Sequence, residues 1–300
     1  MHDFEYVAPT TLAQALEWMA RGNGKVRALA GGTDLIDHLR LGRWQPELLV
    51  DIKKIPELQR LTVSPQGLHL GAAVPCARIT AHPDIARDYS ALADSCRIIG
   101  GIQIQHRASV GGNLCNAGPA ADSTPSVIAL RGSCVIASTA GTRTVAAEQF
   151  CTAPGQNVLR SGELLVELQF PPPEPLSGSH YRRFIPRNEM DIAVVGVAAW
   201  LVLEPDRETI RTCRIALGAV APTPLLAADA AQELVGRTLH DQTALRHACE
   251  SAQAQARPIS DHRGSAEYRR HLIGVLLPRV LQTARSRARG EPVCYRPGHS

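Results

Sequence analysis

Residues 108–122 read Ala-Ser-Val-Gly-Gly-Asn-Leu-Cys-Asn-Ala-Gly-Pro-Ala-Ala-Asp, and this stretch decides the fold. Its paired glycine, Gly111-Gly112, follows a small hydroxyl residue and leads through small and polar residues to Pro119 and Asp122. Paired glycines let a backbone take positive φ and bring its N–H groups close to a ligand. Amides turned inward make an anion nest, and a helix starting behind them adds its dipole. Ala30-Gly31-Gly32-Thr33-Asp34 repeats the design after an apolar segment. Taken alone, Gly31-Gly32 suits a plain strand-to-helix turn equally well. Two such segments, about 80 residues apart, point to a ligand whose diphosphate is held between them.

Working outward, the familiar phosphate loops are missing. No Gly-x-x-x-x-Gly-Lys-[Ser/Thr] occurs, and no Gly-x-Gly-x-x-Gly, so a dinucleotide must be held by a non-Rossmann route. Thr33, Ser109 and Asn113 place short polar side chains beside the glycine amides, a donor set that suits phosphate. Eleven histidines are scattered, with no His-Glu-x-x-His pair and no Gly-x-Ser-x-Gly elbow. We therefore assign no catalytic residue; a dinucleotide binder without acid–base machinery leaves the chemistry to its cofactor.

Composition narrows the class. The chain has 300 residues, 44% hydrophobic and 20% charged, with a net charge of +4. That balance is too mild for a nucleic-acid binder, and no aromatic and basic stripe accompanies it. The longest apolar run, residues 192–203, is too short to span a bilayer and reads as a buried strand. The N-terminus has neither a basic cluster nor a long apolar run, so a cytoplasmic protein is expected. The eight cysteines, at 76, 96, 115, 134, 151, 213, 249 and 294, include no Cys-x-x-Cys pair. They read as small buried hydrophobes, with no metal site.

The pattern divides into sections. Thr11 and Gln14 form a capping box for a helix that Gly22 stops. A strand over 25–30, a helix over 35–41 and a strand over 48–52 complete a first section, 1–55. A second, 56–175, opens with a hairpin over 61–74, turning at Ser64-Pro65-Gln66-Gly67. It continues with helices over 77–81, 89–99 and 123–130, and strands over 134–138, 143–146 and 164–170. Pro171-Pro172-Pro173-Glu174-Pro175 marks a boundary, because polyproline joins neither a helix nor a central strand. The third section, 176–289, carries strands over 193–203 and 213–220 and helices over 227–234 and 242–256. Its long terminal helix starts at Ser265, and Pro278 is expected to kink it or end it early. A loose tail, 290–300, follows.

These segments resemble the FAD-binding medium subunit of the molybdenum hydroxylases, the family of xanthine and carbon monoxide dehydrogenases. Residues 30–35, 108–122, 181–193 and 261–269 carry the likeness in order along nearly the whole chain. The resemblance implies a mixed α+β fold. Two FAD-binding subdomains of the vanillyl-alcohol-oxidase-like type would precede a C-terminal α+β domain with a small, three-stranded antiparallel sheet. It implies FAD lying between the subdomains, lined by Leu29, Ala30, Gly31, Gly32, Thr33, Asp34 and Leu35 on one side. Ser109, Gly111, Gly112, Asn113, Asn116 and Asp122 would line the other, with Leu164, Leu165 and Arg183 near the flavin ring. Arg183 stands where relatives carry Lys; a surface arginine is the alternative reading. Relatives read Ile-Arg-Asn before the second glycine pair, where this chain has Ile104-Gln105-His106, and Gly118 replaces a serine. The family's partners would be a [2Fe–2S] iron–sulfur subunit and a large molybdenum-cofactor subunit in a heterotrimer, with NAD+ as a possible acceptor. The cysteine spacing argues against the [4Fe–4S] insertion of some relatives. Two other readings stand beside this one: a scaffold subunit without working FAD, and a stand-alone FAD oxidase.

Overall fold

The computed structural model describes residues 2–21, 24–187 and 190–293. Gly22, the expected helix stop, and residues 294–300 of the expected tail lie outside the described residues.

The chain begins with β1 (Glu5–Val7), α1 (Leu12–Ala20), β2 (Val26–Leu29), α2 (Leu35–Arg40) and β3 (Leu48–Asp51). Thr11 caps α1 by accepting from the Gln14 amide at 3.3 Å, while the Gln14 side chain reaches the Thr10 N–H at 3.4 Å. The strands pair in parallel in the order β1-β3-β2. β3 is buried along its length, as the central strand of a parallel sheet must be.

A second sheet follows. The expected hairpin is β4 (Leu61–Ser64) and β5 (Gly67–Gly71). Five helices come next: α3 (Cys76–Thr80), α4 (Pro83–Asp88), α5 (Ser90–Arg97), α6 (Ile102–Gln105) and α7 (Val110–Asn116). Then come α8 (Ser123–Ala129), β6 (Ser133–Ser138), β7 (Gly141–Ala146), the short pair β8 (Cys151–Ala153) and β9 (Gln156–Asn157), and β10 (Leu164–Phe170). The main sheet is antiparallel in the order β4-β5-β10-β6-β7. β10 serves two cores: Leu164 and Val166 pack beneath the first sheet, whereas Leu165, Leu168 and Phe170 pack under the helices. The register shifts between Leu165 and Glu167.

The third sheet comprises β11 (Ser177–Phe184), β12 (Val195–Leu203), β13 (Ile210–Gly218) and β14 (Leu225–Leu226), antiparallel in that order. It has four strands rather than three, because two residues of a connecting loop pair with β13. α9 (Ala228–Gln232), α10 (Gln242–Gln255) and α11 (Ala266–Ala288) cover one face. Every residue of β12 is buried. Side chains alternate across a strand, so Ala198, Trp200 and Val202 enter the core containing α8, and Val197, Ala199 and Leu201 the core under α11. A strand with two dry faces reads as one continuous apolar run.

Pro278 neither ends nor divides α11, which is helical from Ala266 to Ala288. Proline removes one N–H and leaves the carbonyl four residues earlier without its helical donor. That carbonyl, on Gly274, faces the Cys249 thiol at 3.9 Å instead. Between the second and third sheets, Asp94 on α5 meets His180 Nδ1 on β11 at 2.7 Å and Arg287 Nη2 on α11 at 3.1 Å. Asp94 and His180 are fully buried, so the Asp94 carboxylate is hydrogen-bonded and paired as burial requires.

Candidate functional site

The two glycine pairs line one cleft, and at Gly31 and Gly111 close approach explains the glycine better than φ does. A Cβ on Gly31 would lie 2.0 Å from the Arg107 carbonyl oxygen. A Cβ on Gly111 would lie 2.5 Å from the Ala72 carbonyl oxygen and 2.6 Å from its Cα. Only glycine lets backbone pack on backbone this tightly. Gly32 alone of the four takes positive φ, at +79°. The second stretch is therefore no open loop. Ser109 caps α7 through its hydroxyl, which accepts from the Gly112 amide at 3.0 Å, and Ala117 ends the helix with φ of 51°. Gly111 and Gly112 belong to its first turn.

Residues 31–34 lead from β2 into α2. The Gly32 carbonyl accepts from Ile36 at 3.0 Å, while the amides of Gly32, Thr33 and Asp34 find no acceptor among the described residues. First-turn amides of a helix also lack intrahelical partners. The approach to α2 thus presents unused N–H groups to the cleft and partial positive charge with them, while in α7 the Gly112 amide is taken by Ser109.

Between them lies a cleft of about 460 Å³. That volume falls in the range of small-molecule sites, roughly 300–1,000 Å³. Ala30, Gly31, Gly32, Thr33, Asp34 and Leu35 line it from the first sheet, and Ser109, Gly111, Gly112, Asn113 and Asn116 from α7. Leu164 and Leu165 line it from β10. Leu29, Asp122 and Arg183 are not among its walls. Leu29 packs toward Leu35, Leu39 and Leu49. Asp122 is buried, accepts from the Tyr181 hydroxyl at 2.8 Å and pairs with Arg183. Burial pushes its carboxyl up to about 6 despite that guanidinium, whose own side chain is only 6% exposed. Arg183 is thus an internal ion-pair partner and not a surface residue.

Some expected polar contacts serve the protein itself. Asn113 Oδ1 accepts from Ser123 at 2.7 Å, and Asn116 Oδ1 faces His38 Nε2 at 3.4 Å, joining α7 to α2 across the cleft. The altered residues before α7 point elsewhere. Gln105 is buried and donates to the Arg97 carbonyl at 2.7 Å, and His106 Nδ1 faces the Ile102 carbonyl at 2.8 Å. Neither lines the cleft.

Arg27, Trp44, Ile99 and Arg160 line it without having been singled out from sequence. A lone arginine within the apolar segment 26–30, and Arg160-Ser161-Gly162 just before β10, are the signals that existed. Arg160 stands beside Glu163, a cleft-lining carboxyl that it helps hold below the usual range. The free amides ahead of α2, the guanidiniums of Arg27 and Arg160 and apolar walls at Ile99 and Leu165 fit an extended ligand with a diphosphate and a flat ring. FAD has that chemistry. Among the described residues no group of three or more His, Cys, Asp or Glu could hold a metal ion. Burial raises the thiols of Cys115 and Cys151, to about 12 and about 11. No helix among the described residues is long and apolar enough to cross a membrane.

Comparison with known proteins agrees with this chemistry. Residues 2–173 match the family described as the FAD binding domain in molybdopterin dehydrogenase. Residues 180–284 match the CO dehydrogenase flavoprotein C-terminal domain. The chain is 34% identical to a putative xanthine dehydrogenase FAD-binding subunit of Escherichia coli (strain K12), covering 97% of this chain and 99% of that one. It is 29% identical to the carbon monoxide dehydrogenase medium chain of Hydrogenophaga pseudoflava, over 95% and 98%. Among solved structures, reconstituted CO dehydrogenase from Oligotropha carboxidovorans superposes with a TM-score of 0.91 at 29% identity, over 95% and 98%. The chain belongs to the FAD-binding medium subunits of the molybdenum hydroxylases, oxidoreductase components of the xanthine and carbon monoxide dehydrogenase family.

Proposed function

We propose that this chain relays electrons within a molybdenum hydroxylase, receiving them from an iron–sulfur subunit and delivering them to an acceptor such as NAD+. A large molybdenum-cofactor subunit would oxidise the substrate, which this polypeptide would not touch. When bound, FAD supplies the ability to take electrons singly and release them as a pair. The chain's residues bind and orient it. The amides of Gly32, Thr33 and Asp34 and the first turn of α7 face the diphosphate, with Arg27 and Arg160 balancing its charge. Ile99, Leu164 and Leu165 shield the ring from water. The observation that carries this reading is the amide-lined cleft between Gly31-Gly32 and Ser109-Gly112, closed by main-chain contact.

The scaffold reading drew on Gln105, His106 and Arg183, none of which lines the cleft. The test is purification under gentle conditions with both partner subunits coexpressed. A yellow, FAD-containing complex is expected, in which the reduced iron–sulfur subunit reduces the flavin. The chain alone, its FAD first reduced with dithionite, should pass those electrons to artificial acceptors but show no hydroxylase activity. A colourless protein that FAD cannot reconstitute would overturn the reading.

A further inference from the structure

One wall of the cleft is not anchored in a core. From Cys151 to Glu163 no residue is buried, although the flanking Phe150 and Leu164 are 0% and 4% exposed. Val158 and Leu159 pack against the core of the second sheet while staying partly exposed. Gly155, Asn157 and the whole of 159–163 nevertheless line the cleft. A segment with few buried apolar contacts opens at lower cost than the elements around it. Gly155 and Gly162, near its two ends, take φ of +71° and +83°, a conformation that glycine reaches without strain.

Polar contacts pin this segment instead. At its start the Gly155 amide donates to the Ala117 carbonyl at 3.0 Å, and Asn157 Nδ2 donates to the Cys115 carbonyl at 2.7 Å. Both satisfy carbonyls at the end of α7 that the helix leaves without donors. Asn157 Oδ1 accepts from the Leu159 amide at 2.9 Å. At the far end stands Arg143, on the edge strand β7. Its Nε donates to Glu163 Oε1 at 2.8 Å, and its Nη2 to Glu163 Oε2 at 2.7 Å and to the Val158 carbonyl at 2.8 Å. Glu163 Oε2 also accepts from the Arg160 amide at 2.7 Å. One guanidinium, itself not among the walls of the cleft, thus ties both ends of the turn 158–163 to β7. The planar fork matches a carboxylate and a carbonyl in a way that an ammonium does not. A Cβ on Gly162 would lie 3.4 Å from the Cα of Ala20, so the turn reaches from the second sheet to the end of α1.

We propose that residues 155–163 are a strap over the cleft and that the Arg143–Glu163 fork is its latch, which parts when FAD enters or leaves. The inference rests on the reading that FAD occupies this cleft. Arg143 is a positioning residue, because it holds the strap and does not touch the cofactor. Parting of the fork precedes both entry and exit. A weaker latch therefore speeds both steps and leaves their ratio, the Kd, close to its original value.

The test uses the deflavinated full chain, with FAD association followed by stopped-flow flavin fluorescence and dissociation by dilution of the loaded chain. Arg143→Met should raise both rate constants by about tenfold. Arg143→Lys, which keeps the charge and loses the fork, should behave in the same way. Glu163→Gln should match Arg143→Met, and the double variant should be no faster than either, because the two residues act as one unit. Hydrogen exchange on the wild-type chain gives a readout that needs no variant. The amides of Gly155, Leu159, Arg160 and Glu163 should exchange together, faster than those of β10, and FAD should slow them. Faster dissociation with unchanged association would make the fork a source of affinity and not a latch. Unchanged rates, multiplying effects in the double variant, or strap amides as protected as those of β10 would equally overturn the proposal. A wild-type chain that takes up no FAD would overturn the cleft reading beneath it.

Discussion

Replacing Gly31 by alanine tests the idea that main-chain contact closes the FAD cleft. The new Cβ would stand 2.0 Å from the Arg107 carbonyl oxygen, 2.5 Å from its carbon and 3.0 Å from the Ala108 nitrogen. Ordinary contact begins near 3.4 Å, so the two glycine segments must part by about 1.4 Å. No side chain can rotate away, because every atom met is backbone. Overpacking of this kind costs about 1–3 kcal/mol. If the cost falls on the closed, ligand-holding arrangement, FAD affinity drops by roughly 5- to 150-fold. The assay is flavin-fluorescence titration of the deflavinated full chain, with thermal unfolding beside it. Gly118→Ala is the control, since its Cβ would meet nothing nearer than Asn116 Nδ2 at 4.0 Å and its φ is not positive. The variant Gly31→Ala should lose affinity and melt earlier, while Gly118→Ala matches the wild type. A Gly31→Ala chain that binds FAD as tightly as the wild type and melts with it would refute the reasoning.

Three further outcomes follow from buried groups. Asp122 titrates near 6 in the folded chain against a usual 3.8, so the native state holds a proton there that the unfolded chain has released. Stability from this group therefore falls as pH rises between those values and is flat above. Arg183→Met should cost about 3–5 kcal/mol at pH 8, where it strands a buried carboxylate. It should cost much less near pH 5, where Asp122 is already protonated; denaturant titrations showing equal cost at both pH values would contradict the pairing. His180 is held below its usual 6.5 by burial, so the unfolded chain takes a proton that the native one declines. Stability should fall as pH drops below 6.5, and His180→Gln should flatten that limb. Asp94, lowered by its His180 and Arg287 partners despite its burial, adds a second loss below 3.8. Pro278→Ala restores a donor for the Gly274 carbonyl and should raise the melting temperature, with a gain of up to about 3 kcal/mol; a lower melting temperature would show that the proline is itself needed at this position.

Segments whose pattern reports their own burial were readable from sequence. β10 matches residues 164–170 end for end, and α10 and α11 start at the caps Asp241 and Ser265. β11 was not readable. Its Ser-Gly-Ser-His-Tyr looks polar, yet residues 178–181 are buried. Its polar groups are satisfied from distant elements: Ser179 by Ser90, His180 by Asp94, and Tyr181 by Asp122. A single strand carries no sign of partners so far along the chain. Two glycines weaken a seven-residue helix, so α7 gives no periodic signal, and its Ser109 cap with the burial of Val110, Gly111 and Leu114 stabilises it. At the site, the glycine pairs were legible and Arg27, Trp44 and Arg160 were not, since an isolated cation or indole gives no hint of the surface it faces.

The segment 104–107 shows which part of the glycine motif carries information. Gln105 and His106 lie just before α7, yet what this segment offers the first glycine pair is the Arg107 carbonyl. Any residue at 107 presents that oxygen. The Arg107 side chain adds only a long contact, Nε to the Gly31 carbonyl at 3.4 Å. The constraint therefore falls on Gly31, which must lack a Cβ, and on the turn formed by α6, which sets where the carbonyl points. Side chains at 105 and 106 are free to vary so long as that turn survives. On this argument Gln105→Ala disturbs the cleft by releasing the Arg97 carbonyl, whereas His106→Ala, exposed and bonded only within α6, leaves FAD affinity intact. Loss of FAD binding in His106→Ala with the fold retained would show that side chains, and not the main chain, read the cofactor here.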